Sequence, residues 1–155
     1  MFNTAFAAFT SDTTDYYPEP LRSEIHTLND LIYRTVNNGV YRSGFSTSQD
    51  AYNEAVEAVF ATLDQLEQRL ANDRYLLGNQ LTEADWRLFP TLVRFDAAYY
   101  GAFKCNVRRL MDYPNLWAYT RYPASPKPCI PTFTSVVITR RALCVIPLAL
   151  FPRGR

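Results

Sequence analysis

The sequence predicts an all-α helical bundle. Three observations carry that expectation. Apolar residues recur at helical steps from Leu21 to Val36. A longer run of the same kind extends from Tyr52 to Leu70. Between Gln80 and Phe89 lies a helix start whose cap is written in its own residues. Apolar recurrence every three to four residues is the mark of an amphipathic helix.

In chain order, Met1 to Phe9 reads as a short apolar-faced helix through Phe2, Ala5, Phe6 and Phe9, with no capping residue ahead of it. Thr10 to Pro20 is a polar, Pro-bearing loop, and Pro20 suits the first turn of the next helix. Leu21, Ile25, Leu28, Ile32 and Val36 then form an apolar stripe that contains His26, read as a surface residue and not a ligand. Asn37-Asn38-Gly39 is expected to end this helix, with Asn38 or Gly39 in a left-handed C-terminal position. Val40 to Phe45 is expected to be a short irregular link. Its Tyr41 and Phe45 fit two uses, walling a pocket or plugging the bundle end, and the local sequence favours the plug.

Ser46, Thr47 and Ser48 offer N-caps to the longest helix, which should reach about Ala71. Tyr52, Val56, Val59, Phe60, Leu63, Leu66 and Leu70 make its buried face. Glu57, Asp64, Glu67 and Arg69 read as a solvated face and not as a catalytic carboxylate pair. Tyr75 to Gln80 is an apolar link ending in a turn.

Thr82 and Asp85 stand at capping-box spacing, so each can satisfy the other's backbone N–H. Leu81 and Trp86 have the spacing of a hydrophobic staple, and Glu83 and Asp85 place negative charge where the helix dipole favours it. Trp86, Phe89, Leu92, Val93 and Phe95 leave few faces exposed, the pattern of a central helix. Pro90 should kink it, and Tyr99-Tyr100-Gly101 marks its end. A short helix should carry Val107, Leu110 and Met111, and Pro114 should begin another that runs to about Tyr119.

The character then changes. Pro123, Pro126, Pro128 and Pro131 fall within nine residues, and no Asp or Glu follows Asp112. Arg121, Lys127, Arg140, Arg141, Arg153 and Arg155 make this end basic. Val136 to Ile138 fits one strand. Ala142 to Phe151 is apolar but about half the length of a membrane span. Residues 123–155 are thus a Pro-rich basic tail. One reading is a membrane-surface or partner-binding segment. The favoured one is sequence never selected to pack, as a changed reading frame would give.

Composition narrows the function classes. The chain has 155 residues, room for one domain with a sizeable core. A net charge of +1 with mixed signs argues against electrostatic binding of nucleic acid. Eleven Tyr and ten Phe suit a packed core or a pocket for a planar ligand. Cys105, Cys129 and Cys144 show neither a CxxC nor a metal-ligand spacing, so no metal site is expected. Buried or incidental thiols in a reducing compartment fit better, and the cytoplasm is the expected location, since no secretory signal opens the chain.

Several runs together resemble a known family: Thr35 to Tyr41, Gly44 to Gln49, Arg74 to Gly78, Leu81 to Asp85, Leu92 to Asp96 and Phe103 to Asn106, with Met1 to Phe6 and Tyr16 to Pro18 ahead of them. They look like the C-terminal helical domain of glutathionyl-hydroquinone reductases, the Xi-class glutathione transferases. The likeness covers about Met1 to Tyr122. The Thr82–Asp85 box is shared by most glutathione transferases, whereas the Asn37–Tyr41 and Phe103–Asn106 runs are particular to this subgroup.

The resemblance implies a helical domain, residues 1–122, of the glutathione transferase C-terminal type. In the family a thioredoxin-like domain precedes it, binds glutathione as co-substrate and carries the nucleophilic cysteine in a Cys-Pro-Trp-Ala motif. That cysteine attacks the glutathionyl sulfur, the hydroquinone leaves, and a second glutathione frees the enzyme as oxidised glutathione. None of the three cysteines here lies in such a motif, so the chain is expected to lack the thioredoxin-like domain and its glutathione site and to hold no catalytic residue. Met1 falls where the family has an internal methionine, so a remnant truncated at both ends is expected. Tyr41 matches a family tyrosine that contacts the hydroquinone. A second family tyrosine, further on, has no counterpart in the tail. The competing expectation is a non-catalytic helical binding or dimerisation module, since family members pair through this domain.

Overall fold

A computed structural model describes residues 14–121 of the chain. The expected helix at Met1–Phe9, the tail at 123–155, Cys129 and Cys144 lie outside the described residues. Within them the architecture is helical: α1 is Arg22–Ile32, α2 Gly39–Gly44, α3 Gln49–Arg69, α4 Glu83–Arg94, α5 Tyr100–Ala102 and α6 Pro114–Arg121. Two π-helical turns, Tyr33–Asn37 and Phe95–Tyr99, join α1 towards α2 and α4 to α5. Among the described residues the only β-type pairings are two isolated bridges in the link before α4, Tyr75 with Gly78 and Leu77 with Gln80.

The core joins the expected stripes of α1 and α3 to residues the sequence left out of its apolar faces, Val40, Leu88 and Leu116. Ile32, Val36, Val40, Val59, Leu63, Leu88, Leu92, Phe95 and Leu116 are wholly or almost wholly buried in it. α3 starts at Ser48, whose side-chain oxygen accepts from the Ala51 N–H. The Thr82–Asp85 capping box starts α4. The Asp85 carboxylate accepts from the Thr82 N–H at 2.8 Å and from its hydroxyl at 2.9 Å. It also accepts from the Leu76 N–H at 3.0 Å and the Tyr119 hydroxyl at 2.9 Å. The cap thus ties the 75–80 link, α4 and α6 together. Trp86 meets Tyr16 edge-on, and α4 continues through Pro90 as a helix.

Four expectations need correction. Asn37-Asn38-Gly39 does not stop the helix: Asn38 stays right-handed, and the chain turns through the π segment directly into α2. The reason lies across the bundle. The Asn37 amide donates to the Arg87 carbonyl and its oxygen accepts from the Thr91 hydroxyl. Gly39 is small because α3 is close, a Cβ there meeting Val59 Cγ2 at 2.8 Å. Second, Val40 to Phe45 is mostly helix, not an irregular link.

Third, only Leu110 of the Val107–Leu110–Met111 set is buried, in a single 3-10 turn at Leu110–Asp112. That turn is held by the Asp96 carboxylate, which accepts from the N–H groups of Leu110 and Met111. Fourth, the charged face of α3 is not merely wet. Glu67 accepts from the N–H groups of Asn115 at 2.8 Å and Leu116 at 2.7 Å, and so caps α6 from another helix. Arg69 donates to the Leu76 carbonyl at 2.7 Å.

Candidate functional site around Tyr41

Tyr41 on α2 and Phe45 just past its end are both exposed and lie about one helical turn apart. Opposite them stand Tyr99, from the end of the second π turn, and Phe103, just past α5. The Tyr41 ring meets the Tyr99 ring at a centroid distance of 5.7 Å and the Phe103 ring at 5.3 Å, both edge to face. Phe103 in turn meets Phe45 at 5.4 Å and Tyr99 at 5.5 Å. Four rings therefore lock in the T-shaped arrangement their quadrupoles favour.

Gly44 makes this possible. A Cβ at that position would lie 1.8 Å from Phe103 Cδ1, so the Phe103 ring lies against the bare backbone of α2. The segment that carries Phe103 is pinned beyond it. Lys104 adopts φ of 60°, uncommon for a residue with a Cβ. Its carbonyl accepts from the Tyr52 hydroxyl at 2.7 Å, and the Cys105 N–H donates to the Tyr99 carbonyl at 3.0 Å.

Tyr41 is 43% exposed and Phe45 66%, whereas Tyr99 is 3% exposed. Tyr41 and Phe45 thus do not plug the bundle end; they wall an open face. The two tyrosine hydroxyls are 3.2 Å apart. Burial pushes the Tyr99 phenol up to about 12, with the bond to Tyr41 adding to the rise and the Arg94 guanidinium opposing it. Tyr99 therefore keeps its proton at neutral pH. Such a face can stack a planar ring and offer it a phenolic donor.

Cys105 is the one cysteine among the described residues. It is wholly buried, and burial pushes its thiol up to about 11 despite a hydrogen bond with Ser43 that lowers it. A nucleophilic thiol needs the opposite environment. His26 is exposed and bonds through its ring to the Tyr17 hydroxyl. The described residues contain no cluster of metal-ligand type, and no helix among them is long and apolar enough to cross a membrane.

The geometry can be set beside known proteins. Residues 49–121 match the glutathione S-transferase C-terminal domain. The glutathionyl-hydroquinone reductase YqjG of Escherichia coli is 58% identical over 121 residues, which are 78% of this chain and 37% of the relative. The helical unit is a glutathione S-transferase C-terminal domain. Its kind is the Xi class. The glutathione-bound YqjG structure superposes with a TM-score of 0.78 at 52% identity, covering 87% of this chain and 42% of that one. Glutathione transferase Xi 1 from Trametes versicolor gives 0.74 at 55% identity, covering 77% and 42%. The chain spans less than half the length of each of these proteins.

Sequence reasoning paired Tyr41 with Phe45 from the local sequence, gave Tyr41 a substrate role only through the family likeness, and missed Tyr99 and Phe103. Tyr99 read only as a helix end and Phe103 only as part of a family run. One available clue was the four-residue spacing of Phe95, Tyr99 and Phe103, which places aromatics along one helical face.

Proposed function

We propose that this domain supplies the hydroquinone side of a glutathionyl-hydroquinone reductase site, with Tyr41 as the residue that meets a substrate oxygen. The observation that carries the reading is the half-exposed Tyr41 set in a wall of aromatic rings. Quinones and hydroquinones are planar and carry oxygens at the ring edge, so they suit both features. Glutathione is the co-substrate in this reading. The reading expects no nucleophilic role for Cys105, whose thiol is buried and held protonated. Glutathione chemistry needs a reducing compartment, and the cytoplasm fits.

Equilibrium binding of 2-methyl-1,4-naphthoquinone, followed by quenching of aromatic fluorescence, tests the pocket. The reading expects saturable binding that Tyr41→Phe weakens by about three- to tenfold, the scale of one neutral hydrogen bond. Saturable binding equally tight in both proteins would remove Tyr41 from the site.

The second reading, a helical dimerisation or binding module, draws on Val107 and Met111, which are 62% and 51% exposed. Light scattering of the purified chain separates the two. A discrete dimer dissociated by Val107→Lys supports the module, and a monomer at micromolar concentration removes it.

A further inference from the structure

The peptide that joins Lys104 to Cys105 is held at both of its polar ends. Its carbonyl, on Lys104, accepts from the Tyr52 hydroxyl of α3 at 2.7 Å. Its N–H, on Cys105, donates to the Tyr99 carbonyl at 3.0 Å. Cys105 itself is wholly buried, with its sulfur 4.0 Å from the Val40 carbonyl oxygen of α2. The conformation so clamped is one that lysine does not favour. Lys104 has φ of 60°, a left-handed position that glycine or asparagine usually takes past a helix end. Lys104 is exposed, so its own side chain contributes little packing to hold the turn. Backbone in a sparsely populated region persists only where its surroundings fix it. Here those surroundings are Tyr52 and the anchored Cys105.

The turn carries Phe103, the ring that lies against Gly44 and meets Tyr41, Phe45 and Tyr99 edge-on. Phe103 and Cys105 flank Lys104. With Cys105 fixed in the core, a change in the Lys104 dihedrals is taken up on the Phe103 side. We propose that Tyr52 is a positioning residue for the aromatic face: from α3 it fixes the left-handed turn at Lys104 that seats Phe103 against Gly44 and keeps that ring as one wall of the site. The proposal rests on the reading of the face given above and adds a control point outside its four rings.

The test reads Phe103 and the ligand separately. Labelling the chain with 4-fluorophenylalanine gives Phe103 a fluorine resonance, assigned in each background by its loss on Phe103→Leu. Affinity for 2-methyl-1,4-naphthoquinone is measured on the same proteins. Two variants oppose the turn by different routes. Tyr52→Phe keeps the ring and removes the donor. Lys104→Val leaves Tyr52 intact and places a β-branched residue, for which positive φ is an outlier, at an exposed position. A third protein combines Tyr52→Phe with Lys104→Gly, because glycine takes positive φ without steric cost.

In Tyr52→Phe and in Lys104→Val the Phe103 resonance should move, and the dissociation constant for the quinone should rise by about three- to tenfold, the scale of one neutral hydrogen bond. Adding Lys104→Gly to Tyr52→Phe should return the resonance towards its wild-type position and recover most of the affinity. A role confined to stability gives a different result: a lower urea midpoint, with resonance and affinity unchanged in the folded variants. That result overturns the proposal and leaves the reading of the face in place, as does a loss in Tyr52→Phe that Lys104→Gly fails to recover. A wild-type chain that binds no quinone removes the reading of the face and this positioning role together.

Discussion

The Asp85 carboxylate gathers two backbone N–H groups, from Thr82 and Leu76, and two hydroxyls, from Thr82 and Tyr119. It is 2% exposed, so water cannot replace any of them. Asp85→Ala should therefore cost roughly 3 kcal/mol or more, the sum of lost charge-assisted bonds and stranded donors. Urea unfolding of the variant checks this, and a loss under about 1 kcal/mol would show that the cap is dispensable. Cys105 gives a pH prediction. Its folded pKa is raised by burial from 9.0 to about 11, so the folded state holds the proton more tightly than the unfolded one. The associated stability is complete below pH 9 and is lost as pH rises through the window to 11. Tyr99 and Tyr119, both raised chiefly by burial, add to the loss above their ordinary value of 10.0. The urea midpoint should accordingly fall on alkaline titration, and between pH 9 and 10 it should fall less steeply in Cys105→Ala. At this scale the capping box was legible because its bonds are local in sequence. The Tyr41–Tyr99 pair was not, because its partners are 58 positions apart.

Among the elements, α6 depends on a residue of α3. Glu67 satisfies the N–H groups at the start of α6, where a negative charge also complements the helix dipole. Glu67→Ala should cost about 1 to 2 kcal/mol, the upper part of the range for a helix cap. Amide exchange at Asn115 and Leu116 should quicken more than at Leu63 in the core, and equal protection in both proteins would refute the cap. α2 makes the opposite demand, for the absence of a side chain. Gly44→Ala would drive a methyl into the Phe103 ring, displacing Phe103 and with it one wall of Tyr41. Near-ultraviolet circular dichroism should lose aromatic signal while the far-ultraviolet helical spectrum holds. The stripes of α1 and α3 were legible because amphipathic periodicity depends on nothing outside the helix, whereas the line α4 buries, Ala84, Leu88 and Leu92, shares only Leu92 with the set read from the sequence, and Trp86, Phe89 and Val93 stay partly exposed. The turn at 33–45 was misread for a physical reason. Asn37 and Gly39 look like a helix stop, but the first serves hydrogen bonds to α4 and the second a close approach to α3. Tertiary use overrode the local meaning of both residues.

At the scale of the whole molecule, a Xi-type helical domain forms around one core, and an aromatic face opens from it at Tyr41 and Phe45. The fold class was legible from the sequence alone, as was the family, through the Asn37–Tyr41 and Phe103–Asn106 runs. In the proposed function this face is half of a two-part site whose reactive sulfur is not Cys105. The buried, protonated Cys105 is the ground for that within the described residues. The most direct measurement is turnover of a glutathionyl-menadiol substrate by the purified chain with glutathione. The account predicts a rate equal to the background of free thiol, with the quinone still bound. Catalysis above that background, abolished by Cys105→Ala, would contradict it.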